Sequence, residues 1–264
     1  VQIMKAERYL QMPILDSAGQ LTALLTLHDF FAANSLPNSV VLMAGGRGRR
    51  LLPMTDGTPK PMLAIENRPL LQVLLEECID AGIRSIFISV GHLKEQIIDY
   101  FGDGSHWGVN IEYLIEHEPL GTAGALSLLP PNLQNPFFVI NGDLVTNVNL
   151  KNVLTFHSDQ QVSATLCARL HEVSIPFGVI TTTGPRLLHI DEKPVYRSYV
   201  NAGLYILEPH ILPQLPHRQY LEMTTLLDEH KDKGGVAVFP LHEYWTDIGS
   251  PNDFRQAQER WAKR

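Results

Sequence analysis

An α/β fold, built on a Rossmann-like mixed and mostly parallel sheet flanked by helices, is predicted by three observations. Between Val40 and Leu241 short apolar runs alternate with segments of helical spacing. Leu71, Leu74, Leu75, Cys78 and Ile79 recur at i, i+3, i+4, i+7 and i+8, one apolar stripe of a helix that Gly82 should end. Directly after the first apolar run comes a glycine-rich turn, at the strand end where open α/β sheets bind ligands.

In chain order, Met12–Leu15, the turn Asp16-Ser17-Ala18-Gly19 and Leu21–Leu27 read as a strand, a tight turn and a strand, with a short helix from about His28. Asn34–Asn38, which contains Pro37, reads as a linker. The main domain then offers strands at Val40–Met43, Ser85–Val90, Ile111–Ile115, Phe137–Asn141 and Val162–Ala168, followed by Gly178–Thr182, Leu187–Asp191, Gly203–Leu207 and Val236–Pro240. The later strands follow one another closely, so the second half should be mixed or antiparallel and close over the first. Phe254, Ala257 and Trp261 give the end of the chain a helical pattern, and no hexapeptide repeat follows Asp247.

A chain of 264 residues suits one large domain, or one domain plus a fragment. With 21 basic and 28 acidic residues the net charge is −7, which excludes the broad basic surface of a duplex-binding protein. No apolar run reaches the roughly 18 residues of a membrane helix, and no signal-peptide pattern opens the sequence, so a cytoplasmic location with no membrane partner is expected. Cys78 and Cys167 fall inside a helical and a strand-like run and should be reduced core residues. The eleven histidines show no zinc spacing, and no Gly-x-Ser-x-Gly elbow is present.

The run Val40-Val41-Leu42-Met43-Ala44 leads into Gly45-Gly46-Arg47-Gly48-Arg49-Arg50-Leu51. Glycines let a backbone approach phosphate oxygens, and three arginines add fixed positive charge. A Rossmann turn would need a third glycine where Leu51 stands and should open a helix, whereas Pro53, Pro59 and Pro61 predict an extended loop; a Walker loop would end in Gly-Lys-Ser/Thr. What remains is a glycine and arginine turn followed by Thr58-Pro59-Lys60-Pro61-Met62, a second cation between rigid prolines, together a polyphosphate clamp. Asp143, after the apolar Phe137–Ile140 run, and Asp247, after Tyr244-Trp245, are oxygen ligands suited to Mg²⁺.

Ala44–Leu51, Pro53, Thr55 and Pro59-Lys60-Pro61 resemble the signature of sugar-1-phosphate nucleotidylyltransferases. The resemblance continues through Pro119-Leu120-Gly121-Thr122-Ala123-Gly124, Val139-Ile140-Asn141-Gly142-Asp143, Pro176-Phe177-Gly178-Val179, Asp191-Glu192-Lys193-Pro194, Asn201-Ala202-Gly203 and Trp245-Thr246-Asp247-Ile248-Gly249. It covers nearly all of 39–262, and it implies a GT-A-like nucleotidyltransferase fold for a catalytic domain at 39–264. Arg49 stands where many members carry threonine. Pro13–Leu21 followed by Thr26-Leu27-His28-Asp29 resembles the closing half of a CBS module, which makes 1–38 a partial CBS-like hairpin and linker; a hairpin simply added to the main domain is the other reading.

The resemblance implies transfer of a nucleoside monophosphate from an NTP to a sugar 1-phosphate, with release of pyrophosphate and with Mg²⁺ as cofactor. The sugar phosphate is already anionic, so such chemistry needs in-line positioning and charge neutralisation more than acid–base work. On this reading Arg50 holds the β,γ-phosphates, Lys60 the phosphates around the transferred group, and Asp143 with Asp247 the metal. Ala44, Gly45, Gly46, Gly48, Glu116, Gly121 and Thr122 line the nucleotide. Lys193 takes the acceptor's phosphate, with Gly178, Glu192 and Asn201 on the sugar side. Guanine presents two adjacent N–H donors that a carboxylate such as Glu116 matches, so GTP is the favoured partner. A uridylyl- or thymidylyltransferase, a non-catalytic sugar-nucleotide-binding paralogue, the identity of the sugar and assembly as a homo-oligomer all stay open.

Overall fold

The computed structural model of the chain describes residues 11–26 and 35–261. The helix expected from His28 lies outside the described residues, as does Asn34 of the expected linker. Strands β1 (Gln11–Leu15) and β2 (Leu21–Thr26) pair antiparallel. Their turn is made by Asp16, whose Oδ1 accepts from the N–H groups of Ala18 and Gln20, both at 2.9 Å, with Gly19 at φ 77°.

The main body is built from β3 (Leu36–Met43), β4 (Ala64–Ile65), β5 (Arg68–Pro69), β6 (Ile83–Val90), β7 (Asn110–Ile115), β8 (Phe137–Asn141), β9 (Leu144–Thr146), β10 (Ala164–Ser174), β11 (Gly178–Thr183), β12 (Arg186–Glu192), β13 (Val195–Leu207), β14 (Val236–Leu241) and β15 (Trp245–Asp247). Helices α1 (Leu70–Ala81), α2 (Lys94–Phe101), α3 (Gly121–Gly124), α4 (Leu150–Gln160), α5 (Met223–His230) and α6 (Pro251–Trp261) interleave with them. The central sheet runs β14-β10-β13-β8-β3-β6-β7. Its pairs β3–β6, β6–β7, β3–β8 and β10–β14 are parallel, while β13 is antiparallel to both β8 and β10. The fold is thus mixed and mostly parallel, the antiparallel strand being where the second half was expected to depart.

Helix α1 ends as predicted: Gly82 takes φ 97°, and its N–H reaches the carbonyls of Cys78 and Ile79. The linker expectation needs correction, since β3 already begins at Leu36. Pro37 is accommodated because the β3–β6 register shifts between Leu36 and Ser39, the kind of irregularity that spares proline's missing donor. β13 reaches back to Val195, well before the expected Gly203, and forms a long ribbon with β10. Short period-2 alternation cannot reveal this, because residues 195–199 are exposed and largely polar or aromatic.

Two apolar clusters cover the two faces of the sheet. Val40, Leu42, Ile86, Ile88 and Ile140 meet α1, α2 and α4 on one face; Val41, Phe87, Val139 and Tyr205 meet α3 and α5 on the other. Cys78 and Cys167 are both free and buried, and burial pushes the Cys78 thiol up to about 12. A third cluster, containing Leu51, Leu63, Ile65, Val73, Val145, Ile248 and Phe254, lies under the glycine-rich loop. It ties that loop to the chain around Asp247, because the fully buried Leu51 and Ile248 are the immediate neighbours of Arg50 and Asp247. No described helix is long and apolar enough to cross a membrane.

Candidate active site

The parallel strands β3, β6 and β8 end on one edge, and the polar residues singled out in the sequence gather beyond it. The turn after β3 is held from below: the Ala44 N–H donates to the Ser89 carbonyl at 2.9 Å. Gly45 has no room for a side chain, since a Cβ there would lie 2.2 Å from Glu116 Oε1. Gly48 adopts φ 61°, and a Cβ on it would press on Lys60 Cβ and Thr55 Cγ2 at 3.0 and 3.1 Å. Around Gly46 nothing lies within 4 Å of the Cβ position, which leaves that peptide open to a ligand. The loop is not extended as expected. It tightens into 3₁₀ turns at Arg49–Leu51 and Lys60–Met62, though no α-helix opens there, in keeping with the prolines.

Lys60, nearly buried, donates from Nζ to Asp143 Oδ2, while Asp143 Oδ1 is buried with no hydrogen-bond partner. Asp143 is placed by Gly142, whose N–H bonds the Met43 carbonyl at 2.9 Å and where a Cβ would clash with that same oxygen at 2.6 Å. The pairing of β9 with β15 sets Asp247 opposite Leu144, and the Ile248 N–H reaches the Asp143 carbonyl at 3.1 Å. Trp245 Nε1 donates to the Ala202 carbonyl at 2.8 Å and fixes β15 against β13.

Asp247 is exposed. Even so, the surrounding protein and then the Asp143 carboxylate raise its pKa, against the lowering pull of Lys60 and Arg50. Two carboxylates side by side, one with an orphaned buried oxygen, suit a hard divalent cation. Among the described residues no group of three or more His, Cys, Asp and Glu could hold a metal, so a cation bound here would take its other ligands from substrate and water. Arg50 Nη1 comes within 3.7 Å of the Cβ position of Gly249, beside Asp247. Arg50, Lys60, Asp143 and Asp247 therefore form one group, brought together from four stretches of sequence.

Glu116 lies beside the same loop with both carboxylate oxygens engaged. Ser89 Oγ donates to Oε1, and the Leu120 N–H donates to Oε2 at 2.9 Å. Thr122 Oγ1 donates to Glu222 Oε2 at 2.6 Å and accepts from the Met223 N–H at 2.7 Å. Tyr220 donates to the other oxygen of Glu222. Thr122 and then Tyr220 hold the Glu222 carboxyl below its ordinary pKa. Gly121 and Gly124 are required because the 219–221 backbone lies on them: Cβ atoms there would meet Leu221 O at 2.5 Å and Gln219 O at 2.3 Å.

The remaining candidates stand apart. Gly178 pairs with Glu192 across β11 and β12, and its Cβ position lies 2.9 Å from Glu192 Oε2. Lys193, at φ 49°, follows on the same exposed hairpin. Neither Glu192 nor Lys193 makes a hydrogen bond or ion pair with the Lys60–Asp143 group. Asn201 turns its Oδ1 to the Gly203 N–H at 2.9 Å, and its side chain also reaches Tyr205. Ser89 and Tyr220 were missed in the sequence: Ser89 acts through Glu116, 27 positions along the chain, and Tyr220 through its near neighbour Glu222, whose own partner Thr122 lies 100 positions away.

A glycine-rich turn, a lysine–aspartate pair and a second aspartate at the carboxyl edge of a mixed α/β sheet define a protein class that handles phosphorylated ligands. Within that class the family is clear. Residues 39–264 match the nucleotidyl transferase family, and the chain belongs to it. It is 32% identical over 223 residues to mannose-1-phosphate guanyltransferase 2 of Candida glabrata and 33% over 226 residues to mannose-1-phosphate guanyltransferase of Saccharomyces cerevisiae, in each case across 81% of this chain. The chain spans 62% of the length of these relatives. HddC from Yersinia pseudotuberculosis, solved also in complex with GMP-PN, is 28% identical in that complex, with a TM-score of 0.67 over 85% of this chain and 99% of its own. A glucose-1-phosphate thymidylyltransferase structure from Bacillus anthracis, 24% identical with a TM-score of 0.69 over 84% of this chain and 94% of its own, shares the fold.

Proposed function

We propose that residues 39–264 transfer a nucleoside monophosphate, GMP in preference, from an NTP to a sugar 1-phosphate, giving an NDP-sugar and pyrophosphate. The observation that carries this reading is the buried, partnerless Oδ1 of Asp143 beside Lys60, Asp247 and Arg50. A site that must bring two phosphorylated reactants together needs such an arrangement.

Arg50 neutralises the β,γ-phosphates as charge builds on the leaving pyrophosphate, and Lys60 does the same for the phosphate being transferred. The open peptide at Gly46 and the left-handed Gly48 turn backbone N–H groups toward the phosphate chain. Lys193 binds the acceptor's phosphate, and Glu192 and Asn201 bond sugar hydroxyls. Asp143 and Asp247 would hold Mg²⁺, which would supply charge stabilisation for the phosphates. Glu116 keeps free lone pairs on its carboxylate beyond those used by Ser89 and Leu120, and it meets the guanine N–H edge. The names of the yeast relatives favour mannose 1-phosphate as the acceptor. For residues 1–38 we keep the closing half of a CBS-type module, which the Gln11–Leu15 and Leu21–Thr26 hairpin supports, and for the enzyme a cytoplasmic setting where NTPs abound.

The test is a matrix of GTP, UTP, dTTP and ATP against mannose 1-phosphate and glucose 1-phosphate, with Mg²⁺ present and chelated. Pyrophosphate release should be fastest with GTP and mannose 1-phosphate and vanish on chelation. Turnover unaffected by chelation, or with no pair at all, overturns the reading.

A further inference from the structure

The three arginines of the glycine-rich loop do not all line one site. Arg50 lies toward Asp247, as the Arg50 Nη1 approach to Gly249 shows. Arg47 and Arg49 instead line a second, open pocket of about 340 Å³ with Leu52, Thr55, Asp56 and His92. None of Arg50, Lys60, Asp143 and Asp247 lines it. Gly48 stands between Arg47 and Arg49, where a Cβ would press on Lys60 Cβ and on Thr55, whose Oγ1 donates to the Gly48 carbonyl at 2.9 Å. The far end of the loop is tied down by Gln96 Nε2, which donates to the Gly57 carbonyl at 2.9 Å.

Charge gives this pocket its chemistry. Two arginines and one carboxylate, Asp56, line it, in a protein of net charge −7. Among the described residues no carboxylate lies within ion-pair distance of Arg47 or Arg49. His92, which also lines the pocket, stands two residues before α2, whose first turn carries Glu95 beside Lys94, so the positive charge of the wall comes from the two arginines. Guanidiniums are forked donors that match phosphate oxygens two at a time, and two of them suit a ligand with two phosphate groups.

We propose that the Arg47–Arg49–His92 pocket is a second anion site that binds inorganic pyrophosphate, back to back with the reaction centre across Gly48. The choice of ligand rests on the proposed reaction, whose leaving group is pyrophosphate on the other side of the same loop. The pocket holds the released product next to its point of departure, so product concentration acts on turnover through a site other than the reaction centre.

Calorimetric titration of the full chain with inorganic pyrophosphate, without divalent metal, tests this directly. The wild type should bind two equivalents. The Arg47→Gln/Arg49→Gln variant should keep one equivalent and lose the other, each lost arginine weakening that site about tenfold. Arg47→Lys/Arg49→Lys should restore two equivalents with weaker affinity, because lysine keeps the charge and loses the fork. Arg50→Gln/Lys60→Gln should spare the outer site. A parallel titration with GDP separates sources: two equivalents of pyrophosphate but one of GDP support the free product, whereas a second GDP equivalent lost with Arg47 and Arg49 overturns the pyrophosphate assignment in favour of a nucleotide tail. A single equivalent in the wild type, or two retained in Arg47→Gln/Arg49→Gln, overturns the site itself. Stoichiometry is read without turnover, so a protein that makes no NDP-sugar yet binds two equivalents sinks the proposed reaction and leaves this site standing.

Discussion

Lys60 reaches Asp143 across 83 positions of sequence and satisfies only one of its carboxylate oxygens. The pair is mostly buried, with side-chain exposures of 11% and 23%, so each partner depends on the other for compensation of its charge. Replacing Lys60 with Met removes the cation at nearly constant volume. Pyrophosphate release should fall by about 10²–10³-fold, the range for loss of one charge-stabilising group. Urea unfolding should show a loss of about 1–3 kcal/mol from the unpaired carboxylate. A variant with wild-type turnover would remove Lys60 from the reaction centre.

Glu116 offers a sharper test of base choice. In Glu116→Gln the amide oxygen must face the Leu120 N–H, which leaves its NH₂ toward Ser89 Oγ, an acceptable partner. The loop can therefore persist while the carboxylate is lost. The ratio of GTP to UTP turnover should drop by about tenfold or more, and an unchanged ratio sinks the guanine assignment.

Two glycines of the site should respond in opposite ways to alanine. Gly124→Ala drives a methyl group into Gln219 O, a backbone atom that cannot swing aside, and should cost about 1–3 kcal/mol of stability. Gly46→Ala meets nothing in the protein and should leave the unfolding midpoint within about 0.5 kcal/mol of wild type. Its methyl group stands where phosphate approaches, so the apparent NTP affinity should weaken. Thermal melts and KM values together check both.

His157 provides a pH dependence remote from the reaction centre. It is 1% exposed, bonded to Thr165 Oγ1 at 2.8 Å and to Glu208 at 3.2 Å. Burial lowers its pKa from the ordinary 6.5, outweighing the raising effect of Glu208. The unfolded chain then takes up that proton more readily than the folded one, so stability declines as pH falls below the ordinary histidine value toward the lowered one. Melting temperatures measured from about pH 7.5 to about 5.5 should fall less steeply in His157→Gln than in wild type.

Much of this molecule was readable as a string. Helix α1 was legible because its apolar stripe and terminal Gly82 obey local rules, and β8 because Phe137–Ile140 is buried on both faces and reads as one apolar run. The start of β3 and the outer half of β13 were not legible. In the first a proline masks a strand that a register shift accommodates, and in the second the residues are exposed and carry no alternation. Gly45, Lys60, Asp143 and Asp247 were identified by residue type and motif order; their contacts were not.

The sequence by itself determined the α/β class, the ordered motifs and the residues with chemistry to offer, since each depends on neighbours within a turn or a strand. Only the tertiary structure decided that Lys60 and Asp143 pair, that Ser89 and Leu120 hold Glu116, that Thr122 meets Glu222, and that Arg47 and Arg49 line a pocket that Arg50 does not. The Lys60–Asp143, Ser89–Glu116 and Thr122–Glu222 relations span 83, 27 and 100 positions, and the short Leu120–Glu116 bond depends on how the loop after β7 turns. They follow from strand order and loop packing, and residue spacing along the chain specifies neither.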